Sequence, residues 1–206
     1  MRRKAWALAV ATALVTTLLA TAALADNPWE TADIFAQGST VDVLVDDGAK
    51  IHRTATGVTA SVTMPTPEPF TYNIPAGPTS NQEHGSPAAF SLWVFIFFNP
   101  EACDQPCDRA DLVGTGDVIA GGFNAGGHLV SGPNLTISGR VNEQSQLFGG
   151  PNAESIADGL EAGYTIAGAE IHVAVAPHGK LDPELLPDQF STPAGFADSW
   201  WVAQYK

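Results

Sequence analysis

Basic residues are scarce in this chain: nine lysines and arginines stand against 22 aspartates and glutamates in 206 residues. Three of the nine, Arg2, Arg3 and Lys4, come at the very start. An apolar stretch from Ala5 to Leu19 follows, then Ala23-Leu24-Ala25, with small residues at the two positions a signal peptidase requires. Residues 1–25 therefore read as a secretory signal peptide cleaved before Asp26, and the product as secreted or periplasmic. No cysteine lies near that point to carry a lipid anchor. The remaining 181 residues hold six basic and all 22 acidic residues, a formal charge of −16. Such a field repels nucleic acid and anionic membrane surface, which excludes both as expected partners and leaves an extracellular ligand or protein.

Long apolar runs are also missing after the leader. Ala88 to Phe98 is the longest and falls short of the roughly 20 residues needed to cross a bilayer, so no integral membrane segment is expected. Cysteine is limited to Cys103 and Cys107 in CDQPC. In an oxidising compartment this pair forms a disulfide, and its short loop makes it a local staple. The spacing is not C-x-x-C and no βαβ pattern surrounds it, which argues against a redox pair. The chain has no G-x-S-x-G elbow. GGFNAGGH, Gly121 to His128, lacks the Gly-Lys-Ser/Thr ending of a phosphate loop.

What remains is dominated by alternation. Residues 26–39 form an irregular lead-in, and residues 40–206 a single domain. TVDVLVDD and AKIHRT flank Asp47-Gly48, a hairpin turn signal. Thr56 to Met64 and Asn134 to Glu143 alternate apolar with polar residues. MPTPEPF is an extended connection and FTYNI a short strand, with a surface loop containing His84 from Pro75 to Pro87. AFSLWVFIFF is apolar on both faces, the mark of a strand buried between layers. GDVIAGGF and GHLVSG are two short, glycine-broken strands. Ala153 to Glu161 is the one helix expected after the leader. In AGAEIHVAVAPHGK, Ile171, Val173 and Val175 face the core, Glu170 and His172 share the other face, and Pro177 stops the strand. SWWVAQY closes the chain. Short strands with frequent turns and little helix predict an all-β fold, an antiparallel β-sandwich of Greek-key type or a related barrel.

Chemistry concentrates on histidine. His172 and His178 lie six residues apart at the end of one strand, and His128 begins another. If those strands are neighbours, the three imidazoles would hold zinc or copper, with Glu170 as a further ligand or accepting the other N–H of a ligating imidazole. The bland alternative makes His172 a hydrogen-bonded strand residue and His178 a turn residue. Asp104, Asp108, Asp111 and Asp117 offer oxygens for calcium, although their spacing matches no EF-hand loop. Glu170 with Glu184 is a third arrangement, a glycosidase pair, which sequence spacing cannot establish. Asn134-Leu135-Thr136 matches a glycosylation sequon.

FNPEAC (Phe98 to Cys103), Cys107, AGGHLVSG, GAEIHVAVAPHG and LLPDQFSTPAGF occur in that order. In this combination the chain resembles a family of exported, functionally uncharacterised bacterial proteins. A fainter likeness, through the A-x-I-H strand, is to CHRD domains, secreted β-sandwich modules. The resemblance implies export and fold but no activity. Its matching positions are Cys103, Cys107, His128, Glu170, His172, His178 and Gly179. It also implies a second disulfide near the end, and AGFADSWWVAQY has no cysteine to make one. The preferred reading is an acidic, non-enzymatic binding or structural module, against the zinc- or copper-binding alternative.

Overall fold

The computed structural model describes residues 28–103, 106–195 and 199–206. The signal-peptide reading and Asp104 lie outside the described residues. Among the described residues nine strands form two antiparallel sheets. β1 (Glu30–Phe35), β2 (Val43–Thr54), β3 (Gly57–Pro65) and β6 (Asn134–Asn142) make one sheet in that order. The other runs β7 (Leu147–Phe148), β5 (Ala120–Val130), β4 (Ala88–Phe97), β8 (Glu170–Lys180) and β9 (Trp201–Tyr205). The chain switches sheets between β3 and β4, between β5 and β6, and between β6 and β7. This is an all-β sandwich, as the alternation predicts. Among the described residues no helix is long and apolar enough to cross a membrane.

Alternation places one side chain of each successive pair inside. Phe90, Leu92, Val94 and Ile96 of β4 and Ile171, Val173 and Val175 of β8 meet Ile51, Val58, Val62, Leu135 and Ile137 of the opposing sheet. β4 is buried at all ten positions because its other face is covered too. Trp93, Phe95 and Phe97 pack there against the Cys103–Cys107 disulfide, Val118, Ala174, Ala176 and Trp200. The five-stranded sheet thus has cores on both faces. The long excursion after β4, which carries the short helix α1 (Arg109–Val113), covers the outer one.

Several local expectations change. Residues 30–35 of the lead-in form β1, paired with β2. Asp47-Gly48 is not a hairpin turn: β2 runs straight through it, and Asp47 takes φ 49° where the β1–β2 register shifts. The left-handed conformation that suits a turn serves a bulge here. The hairpin lies between Thr54 and Gly57 instead. FTYNI is not a strand. The two glycine-broken strands are one, β5, with a register shift opposite Leu92/Trp93. The helix after β7, α2, is shorter than expected at Ile156–Glu161, with Ser155 accepting from the Asp158 N–H at its start. A four-residue helix, α3 (Asp188–Ser191), follows β8. Nor does Pro177 stop β8. It pairs with Phe90 at a register shift, the kind of irregular position a proline tolerates in a sheet, and the strand continues to Lys180.

Candidate functional site: a cavity under the first helix

The outer face of the five-stranded sheet is incompletely filled. A cavity of about 550 Å³ lies between that sheet and α1, within the size range of small-molecule pockets. Its floor is a row of register partners, Phe95 on β4, His172 on β8 and Gln204 on β9. Val113 and Ala110 of α1 and Val202 of β9 supply the apolar walls. A second cavity of about 250 Å³ shares Phe95, Arg109 and Val113 with the first. Trp93, Phe148 and Trp200 line it, the Trp93 ring lying 5.0 Å from that of Phe148 and 5.9 Å from that of Trp200.

Charge enters at one end. His172 Nε2–H donates to Glu170 Oε1 at 2.7 Å, and the same oxygen accepts the Cys107 N–H at 3.1 Å. Both side chains are buried. Burial alone would push the Glu170 carboxyl up. The bond and charge of His172, the Cys107 N–H and the Lys206 charge outweigh it and hold the group below the ordinary glutamate value. Phe97 flanks the imidazole, ring centres 5.0 Å apart. The His172 Nδ1 bonds no described residue, and His172 lines the cavity.

Of the residues singled out in the sequence, the fold brings Glu170 and His172 together and separates the rest. β8 rises roughly 3.4 Å per residue, which puts His178 about 20 Å from His172. His128 is exposed on β5 opposite Phe90, with β4 between it and β8. Imidazoles so placed cannot converge on an ion that needs nitrogens at about 2 Å. A His128–His172–His178 centre is therefore corrected to one histidine–carboxylate pair, with His128 and His178 standing apart from it. Among the described residues the metal-capable cluster is Cys103, Cys107 and Asp111. Its sulfurs are joined as a disulfide and offer no thiolate. Asp108 and Asp111 are committed to capping α1, Asp108 accepting from the Ala110 and Asp111 N–H groups, Asp111 from that of Asp108. Glu184 sits beyond the far end of β8, so with Glu170 it forms no pair at glycosidase spacing.

His178 has a different role. It is fully buried, and its Nε2 lies 2.7 Å from Ser91 Oγ, which accepts the Trp93 indole N–H at 2.8 Å. The Ser91 hydroxyl, with one hydrogen and two lone pairs, accepts the indole N–H and pairs with His178 Nε2, the direction of that second bond following the imidazole tautomer. The His178 Nδ1 faces the Thr79 backbone without a well-formed hydrogen bond. Desolvation lowers the His178 pKa to about 4, the Thr79 contact opposing it. Ser91 and His178 thus have the spacing of a nucleophile and base, but both are sealed from solvent.

The chain matches no family model, no curated protein and no solved structure. The cavity residues Thr40, Phe95, Arg109, Val202 and Gln204 are spread along the whole sequence, and no spacing marks them. Ser91 did carry a signal, being the one hydroxyl in an otherwise apolar strand.

Proposed function

We propose that the protein is an exported, non-enzymatic binding module that holds a small, mainly apolar ligand in the cavity under α1. One observation carries this reading: an aromatic and aliphatic floor ends in a polar row, His172 beside Gln204. That is the composition of a ligand pocket, mostly apolar with a few placed polar groups. His172 Nδ1 and the Gln204 amide would fix one polar group of the ligand. Among the described residues no serine or thiolate lines the cavity, and the one aspartate there, Asp108, is engaged with backbone.

Trp93 and Trp200 beside the cavity supply the test. Titration with indole, phenol and benzoate should change tryptophan fluorescence saturably for at least one of them. His172→Leu and Gln204→Leu should each weaken that binding by roughly tenfold, the scale of one lost buried hydrogen bond. Equal affinity in both variants, or no binding by any probe, would sink the reading. Export rests on residues 1–25 and on the family resemblance. Amino-terminal sequencing of protein collected outside the cytoplasm should begin at Asp26.

A further inference from the structure

The outer face of the four-stranded sheet departs from the acidity of the rest of the chain. Residues 49–54 of β2, with β3 and β6, hold Lys50, Arg53 and Arg140, half of the six basic residues after residue 25, and none of the 22 acidic ones. Ile51, Val58, Val62 and Ile137 enter the core, so alternation turns Lys50, His52, Thr59, Ser61, Ser138 and Arg140 outward. Lys50 and Arg140 are exposed, and among the described residues neither forms an ion pair. The edge strand β1 brings two acids, but Glu30 is bonded to Arg53 at 2.8 Å and Asp33 accepts the Asp47 N–H at 2.9 Å.

Register sorts the outward side chains into two rows, Lys50–Ser61–Ser138 and His52–Thr59–Arg140. Glu30 pairs with Ile51, which sets Trp29 beside His52 at the head of the second row, the two rings 5.5 Å apart. Trp29 is 53 % exposed. One exposed aromatic is ordinary on a protein surface. Here it stands at one end of a row with Arg140 at the other, three strand spacings or roughly 14 Å away. Thr59 lies between them, with the Ser61 and Ser138 hydroxyls in the row beside.

We propose that this face binds an oligosaccharide in which acidic and neutral sugars alternate. The C–H face of a neutral ring packs on Trp29, since aromatic side chains suit places that are apolar on one side and wet on the other. Sugar hydroxyls meet the serine and threonine hydroxyls, each group able to donate and to accept. A carboxylate of the next sugar pairs with Arg140, whose planar fork matches it, and Lys50 adds a second cation. Charge decides the class of polymer. The −16 field of residues 26–206 repels nucleic acid, with its charge about every 1.7 Å. An alternating sugar chain is far sparser in charge, and at physiological salt the acids elsewhere on the surface are screened beyond about 8 Å. The face belongs to the sheet opposite the cavity under α1, so either proposal can fail alone.

The test is calorimetric titration of the full exported protein with hyaluronan hexasaccharide, with the same hexasaccharide as its methyl ester, and with poly-L-glutamate. The hexasaccharide should bind, and the ester, which keeps the sugars and removes the charge, should bind at least tenfold more weakly. Arg140→Gln should weaken binding about tenfold, as expected for a lost hydrogen bond to a charged group. Trp29→Ala should weaken it on the same scale, and Trp29→Phe should restore most of the loss by restoring an aromatic surface. Lys180→Gln, an exposed cation at the end of β8 in the other sheet, should leave binding unchanged. Equal binding of the ester, equal loss from Lys180→Gln and Arg140→Gln, or no binding of the hexasaccharide would each overturn the proposal. Binding of poly-L-glutamate as tight as that of the hexasaccharide would overturn it too, in favour of an acidic peptide.

Discussion

His178 makes the stability of this protein depend on pH in a predictable direction. An unfolded histidine titrates near 6.5, and the buried imidazole at about 4. Between those values the unfolded chain binds the extra proton and the folded one does not. Stability therefore falls as pH drops from 6.5 to 4, by roughly 3 kcal/mol in all, and is insensitive to this group above 6.5. Glu170 acts in the same sense at lower pH: its depressed carboxyl contributes stability that is lost as pH falls through its folded value. Denaturant unfolding at pH 7 and pH 4.5 should show a loss in the natural protein that is much smaller in His178→Gln. A parallel loss in both would refute the assignment. Ser91→Ala should cost about 1–3 kcal/mol at neutral pH, because it strands two buried nitrogens, on Trp93 and His178. Little of this was visible in the sequence. PHG reads as turn chemistry, and only the bulge opposite Phe90 shows that the strand carries on through it.

At the scale of elements, β5 and β6 meet across the edge of the sandwich at Gly139. A methyl group there would stand 1.8 Å from the Ala125 carbonyl oxygen, which is backbone and cannot step aside. Gly139→Ala should destabilise by about 1–3 kcal/mol or more, measured by thermal unfolding. An unchanged melting temperature would mean that the two strands part easily. The disulfide has more than one task at this scale. Its loop is short, so reduction should cost only modest stability. But the Cys107 N–H bonds Glu170, and α1 begins two residues later. Reduction should therefore weaken ligand binding under α1 more than it lowers the melting temperature. Here the alternation was a good guide to which strands exist and which face is inward. It failed for β1, a strand with few apolar residues, and for the outer face of β8. Glu170 and His172 looked half-exposed in sequence and are buried, because Cys107 and α1 fold over them.

For the whole molecule, the separation of the three histidines has a direct readout. Protein purified without chelator should carry no stoichiometric zinc or copper, and EDTA should leave its melting temperature unchanged. A bound ion lost on His172→Ala would restore the centre that the strand register argues against. The sandwich was legible because every strand repeats one local rule. The cavity was not, because Thr40, Phe95, Arg109 and Gln204 meet only after the sheets have formed.

The central position of β4 has a consequence for how the chain is made. Its ten residues have no polar face and hydrogen-bond β5 on one side and β8 on the other. Synthesis supplies β5 soon afterwards, but β8 arrives only about 70 residues later. During that interval an apolar strand has one open edge, the state most prone to pairing with another chain. Efficient production should thus depend on how long that edge waits, with factors that shield nascent chains mattering more than the final stability of the fold.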